Sequence, residues 1–125
     1  MNDAAFREAM PVNAMTCDVE DYFQVSAFEP HIDKASWQSI PCRVEANTHR
    51  VLDLFAEGSV SATFFTLGWV AERYPGLVKR MVAEGHEVAS HGWEHIRVHT
   101  QAPDAFFADI DRTRKLLQDI SGQSI

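Results

Sequence analysis

Short runs rich in β-branched and aromatic residues alternate along this chain with longer segments of helical periodicity. Three such runs, at residues 12–19, 59–67 and 86–90, each predict a buried β-strand. Longer segments that favour helix separate or follow them. Strands that alternate with helices predict an α/β fold with a parallel sheet and right-handed crossovers. Few other architectures accommodate this order, so it constrains the fold more than any single residue.

The helical segments are bounded by proline and glycine. Residues 42–58 have apolar side chains at roughly helical spacing and end at Gly58, a natural stop signal. Residues 68–85 predict two short helices, the second opened by Pro75. The clearest helix spans residues 103–122, where one apolar stripe is expected to face the core. The stripe consists of Phe106, Phe107, Ile110, Leu116, Leu117 and Ile120.

Composition excludes several classes of protein. The 125 residues suffice for one domain, and a net charge of −7 argues against nucleic-acid binding, which needs clustered Lys and Arg. No apolar run approaches the roughly 20 residues of a membrane span. Cys17 and Cys42 are too few for a disulfide framework. Residues 1–11 form an N-terminal tail with no apolar signal region, so a cytoplasmic setting is favoured.

A long segment from Tyr22 to Ile40 follows the first strand and has no helical or strand pattern. Irregular segments of this length are usually functional or disordered. Its aromatic side chains favour an ordered loop of the binding type, in which they either stack on a ligand or simply pack against the core. They are Tyr22, Phe23, Phe28 and Trp37.

Acidic residues end the first strand, and histidines follow the third. In a parallel sheet the carboxyl ends of the strands share one rim, where ligands bind, so Asp18 should approach His91 and His95 there. Imidazole and carboxylate ligands suit a catalytic divalent metal, zinc above all. Histidines four apart share one face of a helical turn, but Gly92 stands where zincins carry their glutamate base. Asp18 is therefore the candidate base.

The remaining acidic and histidine residues have plainer interpretations. The carboxylates after the first strand could form a solvated strand end or a helix cap rather than a metal site. His86 begins a strand and is expected to be hydrogen-bonded structure, whereas His31 and His49 are expected at the surface. His99 could orient a ligand, but a solvated position is the simpler interpretation.

Three separate motifs together resemble one known family. In order and spacing, "TCDVEDYF", "ATFF" and "SHGWEH" resemble the polysaccharide deacetylases, also called NodB-homology domains or carbohydrate esterase family 4. The resemblance covers the chain from about Val12 onward. "DVEDYF" with the long aromatic loop looks most like a subgroup associated with exosortase-type exopolysaccharide clusters. The resemblance implies a distorted, incomplete (β/α) barrel and a metal-dependent N-deacetylase.

The resemblance also implies roles for individual residues of this sequence that match the family's motifs. His91 and His95 match the family's two metal-binding histidines, and Asp18 matches its general base. Many members have two adjacent aspartates, whereas Val19 intervenes here. The carboxylate ligand is then Glu20 if the strand continues, because alternation places it on the face of Asp18, or Asp21 if the chain turns after Val19. Glu20 is the favoured choice.

The family's later motifs would lie after Ile125: an arginine that orients the base, an acetyl pocket and a distal histidine acid. Residues 12–125 are therefore expected to be a deacetylase domain truncated at its C-terminal side, and the full-length protein is the expected enzyme. It would hydrolyse a carbon–nitrogen bond of an N-acetylated glycan. The alternatives are a non-catalytic metal- or glycan-binding module and a metallohydrolase of small amides. Nothing in the sequence indicates an oligomeric state.

Overall fold

The structure, a computed structural model, describes residues 12–125, so the expected N-terminal tail lies outside the described residues. Its centre is a parallel sheet with strand order β1-β2-β3. Asp18 on β1 is opposite Phe65 on β2, and Phe65 is opposite Ala89 on β3. The strands span β1 Thr16–Val19, β2 Thr63–Thr66 and β3 Glu87–Ser90. This arrangement confirms the predicted α/β fold with parallel strands.

In the described part of the chain, four α-helices connect and follow the strands, and their ends follow the sequence signals. Pro75 and Pro103 each occupy the first position of a helix, where the missing N–H costs nothing. Gly122 ends the last helix in the left-handed conformation, with φ of 68°. The helices span α1 Val44–Glu57, α2 Gly68–Arg73, α3 Pro75–Ala83 and α4 Pro103–Ser121.

Two strands begin later than the apolar runs suggested. The run from residue 59 was expected to be strand throughout, yet β2 begins only at Thr63. The preceding residues form the exit of α1: the N–H of Ser59 donates to Ala56 and that of Val60 donates to Phe55. A helix that ends in such bonds leaves these residues outside the sheet. At β1, Val12 and Met15 are exposed and the strand starts only at Thr16; Val19 is its one buried residue, so the expectation of a buried first strand is wrong.

The hydrophobic core includes residues of the sheet and of all four helices. Phe64 and Leu117 are fully buried, and α4 packs against β3, α2 and α3. The prediction that Phe107 belongs to the core stripe is wrong, because its side chain is 72% exposed. Phe107 lies on the same helical face as Asp111 and Arg114, four and seven residues away, whereas Leu117 marks the buried face.

The long segment after β1 is ordered, as its aromatic content indicated. It folds into short 3₁₀ turns at Tyr22–Gln24, Ser26–Phe28 and Lys34–Ser36. Phe23 and Trp37 are buried against Trp69 of α2, with ring centroids 5.7–5.9 Å apart. Tyr22 and Phe28 remain partly exposed and meet edge to face. Among the described residues, no helix combines the length and apolar character needed to cross a bilayer.

Candidate metal centre

Three side chains that are far apart in the sequence converge at the carboxyl end of the sheet. The Oε2 atom of Glu20, just after β1, lies 3.2 Å from Nε2 of His95 and 3.4 Å from Nε2 of His91. One ligand atom from each of the three residues lies within 4.8 Å of the others. His91 follows β3 directly, so the parallel sheet itself positions the group.

The hydrogen bonding of this group is incomplete. Oε2 of Glu20 and Nε2 of His91 are both buried, and neither has a hydrogen-bond partner among the described residues. Buried polar atoms are nearly always satisfied in proteins, so two unsatisfied atoms at one point require an explanation. A divalent cation bound by two imidazole nitrogens and one carboxylate oxygen would satisfy both. The residues present therefore fit a metal ion.

Glu20 and His91 shift each other's pKa. The close approach of the His91 ring lowers the pKa of Glu20, against the opposing effect of burial. In turn, Glu20 raises the pKa of His91, with a smaller contribution from Asp18. A carboxylate that stays ionised is ready to bind a cation, whereas a protonated imidazole must first lose its proton.

Asp18 lies beside the group without belonging to it. Its Oδ2 atom is 4.0 Å from Nε2 of His91, and its side chain is 57% exposed, against 17% for Glu20. Val19 between them is buried, so the two carboxylates flank a residue that points into the core. The structure therefore places one carboxylate within the imidazole group and a second, more open one at its edge.

Asp21 points elsewhere. Its carboxylate is buried and accepts hydrogen bonds from the N–H groups of Tyr22 at 3.0 Å, Arg43 at 2.7 Å and Val44 at 2.9 Å. Asp21 thereby joins the start of the aromatic loop to the start of α1. Of the two carboxylates considered as the metal ligand, only Glu20 lies against the imidazoles. The Asp-x-x-Gln spacing of Asp21 and Gln24 forms a capping box, a sequence signal that could have indicated this role.

The histidine pair does not lie on a helical turn, contrary to the expectation from its spacing. Residues 91–97 form an irregular loop in which Gly92 has φ of 77° and His95 has φ of 64°. Two left-handed residues reverse the chain and bring the imidazole rings to 5.0 Å between centroids. A left-handed histidine is uncommon, and such residues cluster at functional sites.

Comparison with known proteins identifies the family. The sequence model of the polysaccharide deacetylases matches residues 33–125. The chain belongs to this family. It is 41% identical over 75 residues to the peptidoglycan-N-acetylglucosamine deacetylase PgdA of Listeria monocytogenes, a stretch that is 60% of this chain and 16% of that protein. It is 54% identical over 48 residues to a chitooligosaccharide deacetylase of Sinorhizobium fredii, covering 38% of this chain and 22% of that one.

Among solved structures, the peptidoglycan deacetylase PdaC from Bacillus subtilis superposes with a TM-score of 0.67 at 26% identity. The superposition covers 89% of this chain and 44% of PdaC. The chain thus spans less than half of that solved relative and less than a quarter of the two curated deacetylases above. The family assignment confirms the resemblance seen in the sequence motifs.

The remaining histidines lie apart from the centre. His86 is buried, and its Nδ1 atom accepts a hydrogen bond from the N–H of Ala62 at 3.1 Å, a structural role of the kind its sequence position indicated. His31 and His99 are exposed. His49 is partly buried rather than fully at the surface, because its ring meets the Arg80 guanidinium at 2.8 Å.

Gly68 supports the histidine loop, and sequence reasoning did not single it out. A Cβ atom at Gly68 would lie 2.3 Å from Cε3 of Trp93, which is the buried residue between the two histidines. Such a distance excludes any side chain without movement of the indole. A buried glycine in the first position of a helix, directly after a strand, is the signal that could have indicated a close approach.

A cleft of about 450 Å³ opens beside the centre, between the aromatic loop and residues 94–96. His95 forms part of its wall, so the cleft reaches the imidazole group. An ion pair between Lys34 and Glu94 joins its two sides. Clefts of this size with aromatic walls and a few polar groups are typical of small-molecule sites. Its walls include Phe23, Trp37, Glu29 and Asp33.

Proposed function

We propose that the full-length protein removes N-acetyl groups from a polysaccharide or oligosaccharide by metal-dependent hydrolysis. Glu20, His91 and His95 would hold the metal, most readily zinc, and Asp18 would act as the general base. The proposal extends to this chain the activity for which the related PgdA and the chitooligosaccharide deacetylase are named. Cytoplasmic location and membership of the exopolysaccharide-associated subgroup remain predictions of the sequence.

One observation carries the proposal. In a member of the deacetylase family, Glu20, His91 and His95 converge, and two of their buried ligand atoms have no hydrogen-bond partner within residues 12–125. Residues that serve only the fold would be expected to satisfy those atoms, since an unsatisfied buried polar group costs about 1–3 kcal/mol. Two imidazoles and one carboxylate are a ligand set of catalytic zinc sites, which keep a coordination position open.

The residues of this chain divide the chemistry between them. A divalent metal held by the three ligands would supply Lewis acidity for hydrolysis of an amide. Asp18 lies within 4.0 Å of the ligand nitrogen of His91 and is open to solvent, so it can take a proton from an attacking water. Cleavage of the carbon–nitrogen bond then yields acetate and a free amine. The acid that protonates this amine would be the distal histidine that the family resemblance implies.

The cleft supports a sugar as the substrate. It is continuous with the centre through His95 and has Phe23 and Trp37 in its wall. Aromatic rings beside polar groups suit a sugar, whose faces are apolar and whose hydroxyl groups hydrogen-bond. A small amide would fill little of a cleft of about 450 Å³, so the cleft favours the glycan.

The test is acetate release by the full-length protein, freed of metal with a chelator and then reloaded with Zn²⁺. Substrates are chitooligosaccharides, peptidoglycan strands and a small amide. We expect activity on at least one glycan, dependent on the metal. Asp18→Asn should lower turnover by about 10²–10⁴-fold and keep the metal, because it removes only the base. His91→Ala should lose the metal itself.

His99→Ala is the matched control, because it removes an exposed imidazole eight residues from His91. It should leave both metal content and turnover unchanged. Near-normal turnover of Asp18→Asn would contradict the assignment of the base. A protein that binds metal in the wild type but releases no acetate from any of the three substrates would favour the non-catalytic module.

A further inference from the structure

We infer that Asp109, on α4, is a positioning residue for the metal centre. This role rests on the proposed function and deepens it. The inference begins from the two residues between the histidine ligands, Gly92 and Trp93. Their backbone determines where both imidazoles point, because the loop has no helical hydrogen bonds of its own.

Every polar backbone atom of these two residues has a hydrogen-bond partner outside the loop's own backbone. The carbonyl groups of Gly92 and Trp93 accept from the N–H groups of Gly68 and Trp69, each at 2.9 Å. The N–H of Gly92 donates to the Ser90 hydroxyl at 3.2 Å. The N–H of Trp93 donates to Oδ2 of Asp109 at 3.0 Å. The loop is therefore held by α2 on one side and by α4 on the other.

Asp109 is the one charged partner in this set. A carboxylate accepts a backbone N–H more strongly than a neutral group does, and Trp93 is buried, so water would not easily replace it. The contact is also close: a Cβ atom at Gly92 would lie 3.0 Å from the same Oδ2 atom. Asp109 thus fits against the turn where Gly92 has its left-handed conformation.

A second contact from the same helix holds Trp93. The guanidinium of Arg112 lies over the indole ring, 3.3 Å from its centroid. Asp109 and Arg112 are three residues apart and face the same neighbour. One turn of α4 therefore fixes both the backbone and the side chain of the residue that links His91 to His95. Asp109 also lines a hollow together with His91, and it is not one of the three grouped ligand residues.

Groups that orient metal ligands without binding the metal typically change metal affinity by about 10–100-fold when removed. We therefore expect Asp109→Ala to weaken binding of Zn²⁺ by that factor. With Co²⁺ in place of Zn²⁺, the visible absorption band should change in shape, because it reports the arrangement of ligands. Asp109→Asn keeps an acceptor oxygen at nearly the same place and should restore most of the affinity and the band.

The experiment uses the full-length protein and measures Zn²⁺ affinity by chelator competition, the Co²⁺ spectrum, and urea unfolding without metal. Asp119→Ala is the control, because it removes an exposed carboxylate from the same helix. Should Asp109→Ala fail to fold, Asp109→Glu retains the charge and displaces the carboxylate by one methylene. It should then show weaker binding and an altered band.

A merely structural Asp109 would lower the free energy of unfolding and leave affinity and spectrum unchanged in the folded fraction. That result would overturn the inference, as would equal affinity in Asp109→Ala and wild type. A wild-type protein that binds neither Zn²⁺ nor Co²⁺ would overturn the proposed metal centre itself. The two failures are therefore distinguishable in one set of titrations.

Discussion

Asp21 and Glu20 are adjacent carboxylates with opposite expected effects on stability and on metal binding. Asp21 accepts three backbone N–H groups and is 2% exposed. Replacement by Ala removes all three bonds at once and leaves the donor of Val44, itself buried, without an acceptor. Hydrogen bonds to a charged group contribute about 1.5–3 kcal/mol each, and part of this is recovered by water at the more exposed donors.

We therefore expect Asp21→Ala to lower the free energy of unfolding by about 3–5 kcal/mol. The measurement is urea unfolding of the metal-free full-length protein, followed by the fluorescence of its tryptophans. Asp33→Ala is the matched control, because Asp33 caps an exposed 3₁₀ turn through one bond to Ala35. Removal of a helix N-cap side chain costs about 0.5–2 kcal/mol of stability, and Asp33→Ala should fall near the lower end of that range.

The same variants should respond differently to Zn²⁺. A ligand at 100 times its dissociation constant stabilises the protein that binds it by about 2.7 kcal/mol. Asp21→Ala should retain this increment, whereas Glu20→Ala should lose it and change metal-free stability by less than about 1 kcal/mol. The reasoning is refuted if Asp21→Ala unfolds like wild type, or if Asp21→Ala and not Glu20→Ala abolishes stabilisation by Zn²⁺.

Two further predictions concern the histidine loop and its charge. Gly68→Ala places a Cβ atom 2.3 Å from Trp93, so it should lower the free energy of unfolding by about 1–3 kcal/mol and weaken Zn²⁺ binding. Gly76→Ala is the control, because a Cβ atom there meets no described atom within 4 Å, and it should have neither effect. Urea unfolding and chelator competition measure the two effects. In the metal-free protein, the raised pKa of His91 favours folding below its ordinary value of 6.5, and this contribution is lost as pH rises through the folded pKa. The lowered pKa of Glu20 favours folding above its ordinary value of 4.5, and this stabilising contribution is lost as pH falls through the folded pKa. The stability difference between wild type and Glu20→Gln should therefore be largest between about pH 4.5 and 6.5, and a difference independent of pH would contradict the coupling.

The layout of the fold was predictable from the sequence because its signals are local. Apolar runs marked the three strands, and Pro75, Pro103 and Gly122 marked helix ends. The predictions failed where contacts with another part of the structure determine the conformation or exposure of a residue. Ser59 and Val60 have strand-like surroundings in sequence, but the exit of α1 uses their N–H groups. Phe107 is apolar, yet its place on α4 faces solvent.

At the candidate site, residue types and topology indicated which residues should meet, but they did not predict the backbone conformation that brings them together. Whether Glu20 or Asp21 faces the imidazoles depends on how the chain turns after Val19. Two of the three N–H groups that donate to Asp21, those of Arg43 and Val44, are more than 20 residues away in sequence. The histidine spacing suggested a helical turn, whereas left-handed residues at positions 92 and 95 achieve the same approach. The support from Asp109 depends on the docking of α4, which sequence periodicity does not specify.

The three residues of the candidate metal centre come from parts of the chain about 70 positions apart, so an ion bound there would have a second effect. An ion held by Glu20 and His91 would fasten the first strand to the last, as a removable cross-link across the sheet. In an unfolded chain, ends so distant rarely meet, and the loop-closure entropy of such a ring is large. Scarcity of metal should therefore lower the stability of the folded chain and expose it more often to proteases. The lifetime of the protein in a cell would then follow metal supply as closely as its chemistry does.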